Sequence, residues 1–423
     1  MKKLLWSAAL LAVLSACSTV PLEEPGQGPS EAAQAEHPLV VPPLSSLPES
    51  PVRPLQGHYS PVAWHQLPGW QGDDLAHVWK GLLNDCRGLM RPVSGSLATP
   101  ARAAPRAWQP VCQAAVQSGL GPQASGEPVR AFLQTHLRPW QLDQGGRAAT
   151  GTITGYYEPL IRASRTRQGA YQWPLYATPS DLLTIDLGAV YPELAGKRIR
   201  GKLEGRRVVP YDTRAQIATD PARQPPVIVW ADDPVEVFFL QIQGSGRAVL
   251  PDGSMVRLAY ADHNGQPYVS VGQWLARQGE MPLAQASMQN IKQWARAHPD
   301  RVPQLLNVNP AMVFFREEAI VDPELGPRGG YGVALMAQRS VAVDPGFVPL
   351  GTPLWLDTQQ PGGAGPLQRL VFAQDTGTAI RGAARADFYW GTGDQAGAAA
   401  GRMKQTGRMW LLWPAQAGAP SAR

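Results

Sequence analysis

From about residue 150 to residue 413 the chain is written in short apolar runs, each closed by glycine or proline, and this punctuation bounds the fold. Thr152-Ile-Thr-Gly-Tyr-Tyr157, Val227–Trp230, Val235–Gln243 and Met255–Tyr260 alternate or cluster as strands do, and Pro251-Asp-Gly-Ser254 reads as a hairpin turn. Met312–Arg316, Ser340–Val343, Pro353–Asp357, Arg369–Gln374 and Met409–Trp413 continue the series. Many short strands with frequent turns point to a mainly β protein built on barrels rather than on an open parallel sheet. With 43 Gly and 42 Pro in 423 residues, long uninterrupted helices have little room.

Helices flank this β region. Leu75, Val78, Trp79, Leu82, Leu83 and Cys86 recur at helical spacing, Pro128 suits the first turn of a helix, and Ser287 caps a segment carrying Ile291 and Trp294. The body of roughly 360 residues exceeds one ordinary core, so two lobes are expected.

The N-terminus reads as an export signal. Lys2 and Lys3 precede the apolar run Leu4–Leu14, and Leu14-Ser-Ala-Cys17 resembles the lipobox of bacterial lipoproteins, with residues 1–16 removed and Cys17 lipidated. Ser18 after the cysteine implies the outer membrane under the sorting rule of such lipoproteins, and multiple acyl chains would anchor the body on the periplasmic side. An ordinary signal peptide with a chance cysteine is the alternative. Residues 17–55 are rich in Pro, Ser, Glu and Gly and are expected to be a tether. About 35 such residues span roughly 30 Å as a coil and up to about 100 Å extended.

Formal charge is +5, two units of which Lys2 and Lys3 contribute. That mild excess suits a weakly acidic polymer and lacks the clustered basic face of a nucleic-acid binder. Cys86 and Cys112 could form a disulfide in an oxidising compartment or serve as small buried hydrophobes. Seven scattered His and no ligand-spaced Cys offer no metal site, and no cofactor motif is present.

The candidate chemistry lies near the C-terminus. Asp375 and Asp387 flank a glycine-broken turn, and Asp344 lies upstream in Ala-Val-Asp-Pro-Gly. Carboxylates at strand ends suit proton transfer to a leaving group, although Asp is also an ordinary turn residue. Read as a strand, residues 235–243 place Phe239, Gln241 and Gln243 on one face, leading to Ser245 and Gly246 in a Gly-Ser-Gly turn. Amides beside an aromatic suit sugar hydroxyls and N-acetyl groups, and a solvated pair of glutamines would look the same. Tyr156, in Gly155-Tyr-Tyr-Glu-Pro159, reads equally as a substrate contact or as packing. Asp375-Thr-Gly matches the aspartic-protease triplet, but that chemistry needs two such carboxylates, and Asp212-Thr-Arg and Asp357-Thr-Gln lack the Gly.

Taken in order, Gly155-Tyr-Tyr-Glu-Pro159, Leu203-Glu-Gly-Arg-Arg-Val-Val-Pro-Tyr211, Val237–Gly246, Asn309-Pro-Ala-Met-Val-Phe-Phe-Arg316 and the three aspartate segments resemble the membrane-bound lytic murein transglycosylase A family. The likeness runs from about 55 to 415, and its C-terminal part resembles the family's three-aspartate 3D domain. The resemblance implies a barwin-like double-psi β-barrel from 55–158 and 305–415. It also implies a smaller β-domain, 159–304, inserted into the barrel with a glycan groove between them, and 416–423 is left as a loose tail.

The family's catalytic acid falls on Asp387 of Asp387-Phe-Tyr-Trp-Gly391, a second acid expected to orient or tune it falls on Asp375, and Asp344 is assigned a structural role. The implied reaction cleaves the β-1,4 bond between N-acetylmuramic acid and N-acetylglucosamine and closes a 1,6-anhydro ring. One carboxyl can then protonate the glycosidic oxygen and afterwards deprotonate the C6 hydroxyl, without the second carboxylate of an ordinary glycosidase. Raising its pKa to about 6, by burial or by the like charge of Asp375, would recover roughly 3 kcal/mol of the cost of protonation. Peptidoglycan glycan strands are the implied partner, with cell-wall synthesis proteins as further candidates. A non-catalytic wall-binding lipoprotein is the alternative, because fold alone does not carry activity.

Overall fold

Most of the period-two runs form strands, and six of the strands close on themselves. The computed structural model describes residues 38–47, 49, 54–91, 101–144, 147–191, 194, 199–377 and 379–422; the signal segment, Cys17 and most of the tether lie outside them. In the ring, Lys404–Pro414 pairs with Pro353–Gln359, then follow Pro366–Asp375, Ser340–Val343, Ala386–Thr392 and Gly151–Glu158. The last of these returns to the first through Thr154↔Lys404 to Gly151↔Gly407. Closure removes the open edges that a flat sheet would expose. Strands Leu137–Gln144 and His58–Pro61 extend the sheet outward from Lys404–Pro414.

The main core gathers Ile153, Val341, Leu356, Phe372, Phe388 and Leu411 from the ring with Trp79, Leu82, Trp108 and Val129 from three helices. These are Val78–Met90, Pro105–Gln117 and Gly126–His136. Each such buried side chain contributes about 1.5–3 kcal/mol. Gly81 lets the first of these helices seat on the ring, because a Cβ there would lie 2.2 Å from Phe372. No helix among the described residues is long and apolar enough to cross a membrane.

A second sheet has the order Val313–Ala319, Met255–His263, Gly246–Val249, Leu160–Ser164, Val227–Ala231, Trp173–Tyr176. Only Pro159 separates the ring strand Gly151–Glu158 from this sheet, and a buried ion cluster ties the two at that joint. Glu158, fully buried, accepts from Arg247 Nε at 2.8 Å, Arg257 Nε at 2.9 Å and Thr392 Oγ1 at 2.9 Å. Both guanidinium groups also donate to the Leu325 carbonyl.

Three expectations are corrected. Residues 235–243 are not a strand: Pro234–Gln243 is a helix. The Asp233 carboxylate caps it by accepting from Val235 N at 2.7 Å, Pro234 occupies its first turn, and Gly244 at φ 81° ends it. Because Val235, Val237, Phe238, Phe239 and Leu240 are all buried, no polar face betrays the helical period, and the Asp-Pro start and Gly stop decide the outcome.

The end of the chain is not loose, since buried Ala422 bridges to Ala103. Nor is the whole of 17–55 a free tether: Gln109 Nε2 donates to Pro42 O at 3.1 Å and Arg106 Nη1 to Leu47 O at 2.9 Å. Leu39 and Val41 pack on the main core, so apolar residues among the prolines suffice to dock this stretch.

Cys86 and Cys112 are joined, pinning Val78–Met90 to Pro105–Gln117 across a sequence separation of 26 residues. Closing a loop of that size removes denatured-state entropy worth about 3.5 kcal/mol. Replacing both cysteines by serine is expected to lower unfolding free energy by about 2–4 kcal/mol in urea titrations, whereas an unchanged midpoint would show that the bridge adds nothing.

Candidate active site

Register brings the two acids together. Asp387 is the second residue of the strand Ala386–Thr392, and Asp375 closes the strand Pro366–Asp375. Between them lies Ser340–Val343, whose Ala342 is the register partner of both Asp375 and Asp387. On the far side Asp387 is registered with Thr154. Thr154, Asp387, Ala342 and Asp375 therefore form one row across four neighbouring strands. Side chains in such a row share a face, and the two aspartate backbones stand about 10 Å apart.

Asp387 is half-buried, and Thr154 Oγ1 donates to its Oδ1 at 2.6 Å. Burial raises its pKa to about 6. The Thr154 hydrogen bond and the nearby Arg385 guanidinium oppose the rise, and the charge of Asp375 adds a smaller push upward. Burial, rather than the neighbouring acid, therefore does most of the tuning. Arg385 is itself held by the carbonyls of Thr152 and Ala386.

Asp375 is held by three donors. Gly330 N at 2.7 Å and Thr376 N at 2.9 Å reach Oδ1, and Tyr156 OH at 3.0 Å reaches Oδ2. Burial still raises its pKa, with these donors working against the rise. Tyr156 is two residues beyond Thr154 on the same face of its strand, and its ring packs on Tyr389 with centroids 5.2 Å apart. Its hydroxyl is pushed well above the usual tyrosine range by burial and by the two acids, so it stays a donor.

Asp344 lies in the turn after Ser340–Val343 and accepts from Gly346 N at 3.0 Å and Gly382 N at 2.8 Å, with Arg381 at 3.7 Å. It thereby ties its own turn to the loop that delivers Asp387.

The expected sugar-binding amides are placed differently. Gln241 is buried, and its Oε1 accepts from Arg214 Nη2 at 2.5 Å, so it is an internal polar contact rather than a groove residue. Ser245 and Gly246 are also buried, and a Cβ on Gly246 would fall 2.5 Å from Leu240, which explains that glycine by packing. Gln243 Oε1 accepts from Tyr157 N at 3.2 Å. It lines a cavity of about 200 Å³ with Gly155, Tyr157, Ile242 and Tyr268, on the opposite face of the Gly151–Glu158 strand from Thr154. Tyr156 serves Asp375 directly. Thr154, Gly330 and Arg385 were not expected. Thr154 was within reach of sequence reasoning as the same-face neighbour of Tyr156, whereas Gly330 sits in a turn that only the tertiary fold brings near.

Known families and solved structures resemble this chain. Residues 152–316 match the model described as MltA specific insert domain, and residues 339–413 match the 3D domain. Membrane-bound lytic murein transglycosylase A of Escherichia coli (strain K12) is 30% identical over 295 residues, covering 68% of this chain and 72% of the relative. The chain belongs to the membrane-bound lytic murein transglycosylase A family. Among solved members, MltA from Neisseria gonorrhoeae in its monoclinic form is 34% identical with a TM-score of 0.73, covering 92% of this chain and 99% of that one. E. coli MltA with bound chitohexaose is 26% identical with a TM-score of 0.58, covering 84% and 94%.

Proposed function

We infer that this chain is a lytic murein transglycosylase that cleaves peptidoglycan glycan strands. The observation that carries this reading is a half-buried Asp387 raised to about 6, in one row with Asp375 and bonded to Thr154. At that pKa about a tenth of the molecules carry the proton at pH 7, against about one in a thousand at the ordinary value. Asp387 protonates the bridging oxygen as the bond to the muramic acid C1 breaks. The resulting carboxylate then takes the proton of the C6 hydroxyl as its oxygen closes on C1. Asp375, fixed by three donors, supports positive charge developing on the sugar ring and keeps the acid row in register. A wall-binding protein without activity is not favoured, since it has no use for a tuned acid beside a clamped carboxylate.

The six-stranded ring supports assigning 55–158 and 305–415 to a double-psi barrel, with 159–304 as the inserted β-domain. The glycan groove is assigned to the side of the ring that bears the acid row. Chitohexaose in the E. coli relative supports an extended saccharide as ligand. The relatives' membrane-bound names, with the lipobox-like Cys17, support lipid anchoring at the outer membrane.

Because Asp387 must enter protonated, kcat/KM for release of soluble fragments from purified sacculi is expected to fall as pH rises through about 6. A rate that instead climbs between pH 6 and 8 would remove Asp387 as the acid.

A further inference from the structure

Behind the acid row lies a second, fully buried polar chain that the reaction itself does not use. Gln374 immediately precedes Asp375, is fully buried, and donates through Nε2 to Asp85 Oδ1 at 2.7 Å. Its Oε1 accepts from Ser340 Oγ at 2.5 Å, and that hydroxyl accepts from Met336 N at 2.8 Å. Asp85 sits on the helix Val78–Met90 and is 1% exposed. The same helix grips the loop that gives Asp375 a hydrogen-bond donor. Tyr331 OH donates to the Asp85 carbonyl at 2.8 Å, Tyr331 N donates to the Gln374 carbonyl at 3.0 Å, and the neighbouring Gly330 N donates to Asp375. The Tyr331 ring has no slack, because a Cβ on Gly88 or Gly351 would lie 2.5 Å or 2.6 Å from it.

A carboxyl group in an apolar core is costly unless it does something that an apolar residue could not. Here it fixes the amide of Gln374 and so the strand end that carries Asp375, while the backbone carbonyl of the same residue anchors the Tyr331 hydroxyl and so the turn that bears Gly330. We propose that Asp85 is a positioning residue for Asp375 at two points, its carboxyl acting on the Gln374 amide and its backbone carbonyl on the Tyr331 hydroxyl. The proposal rests on Asp375 taking part in the reaction. Burial raises the Asp85 pKa to about 8, so the carboxyl is mostly neutral at pH 7, and asparagine reproduces its shape and its Oδ1 acceptor.

The test is steady-state kinetics of the full chain on soluble glycan strands, comparing Asp85→Leu, Asp85→Asn, Tyr331→Phe and Asp375→Asn. A displaced catalytic group lowers kcat without changing ground-state binding, by up to about 10²-fold for a 1 Å error. Asp85→Leu is expected to lose about tenfold in kcat at unchanged KM, with Asp85→Asn restoring it to within about twofold. Tyr331→Phe, which removes only the hydroxyl bond to the Asp85 backbone carbonyl, is expected to lose about threefold in kcat and tests that second arm even if Asp85→Leu does not fold. Unchanged kcat in both Asp85→Leu and Tyr331→Phe overturns the proposal, as does Asp85→Asn as impaired as Asp85→Leu. If Asp375→Asn itself retains full kcat, the role given to Asp375 fails and the proposal falls with it; loss of kcat there with normal Asp85→Leu and normal Tyr331→Phe rejects the positioning role alone.

Discussion

Asp387→Asn is expected to lower kcat on glycan strands by at least about 10²–10⁴-fold, with strand binding retained. Asparagine has nearly the shape of the acid and keeps the Oδ1 that accepts from Thr154, so the loss would report proton transfer rather than a rearranged site. The same substitution should make the protein more stable at neutral pH. Burial raises the folded-state pKa to about 6, so folding favours the protonated acid. That contribution is fully present below the unfolded value of about 3.9 and is lost as pH rises through about 6. The asparagine variant escapes the loss, by up to about 3 kcal/mol at pH 7 and above. Urea titrations at pH 4 and pH 7.5 would show the gap between variant and native chain opening only at the higher pH. A gap of equal size at both values would mean that burial does not tune Asp387.

Glu158→Ala is expected to be the most damaging single change to the fold. It leaves Arg247 and Arg257, with side chains 5% and 7% exposed, charged and unpaired at the joint between the ring and the second sheet. Breaking a buried ion pair from one side costs about 3–5 kcal/mol, a large fraction of the 5–15 kcal/mol that typically holds a protein folded. Glu158→Gln, which keeps an acceptor for one guanidinium, should fall between. Thermal unfolding at pH 7 measures both, and a loss under about 1 kcal/mol for Glu158→Ala would show that the cluster is not what joins the two sheets.

The parts of this fold legible in the sequence were those with a local signal. Strands such as Pro353–Gln359 and Lys404–Pro414 announce themselves through apolar runs bounded by turns. The segment Pro234–Gln243 did not, because its apolar residues are nearly continuous and hide the period, although Asp233-Pro234 and Gly244 marked its ends. The short helix Gly393–Arg402 was missed because its ten residues include three Gly and no large apolar side chain. In the site, Asp375 and Asp387 were recognisable from their motifs. Their juxtaposition depends on Ala342 lying between them, a register that no local pattern encodes. Gln241 failed for the converse reason: an amide reads the same in sequence whether it faces a sugar or, as here, a buried Arg214.

The central claim is that one acid, working without an attacking water, closes the muramic acid ring on itself. Purified sacculi digested by the full chain in heavy-oxygen water test it directly, with the released muropeptides weighed by mass spectrometry. The account predicts 1,6-anhydro ends, one water lighter than reducing ends and free of solvent oxygen. Reducing ends carrying the heavy oxygen would contradict it, because they require a hydrolytic water in the acid row.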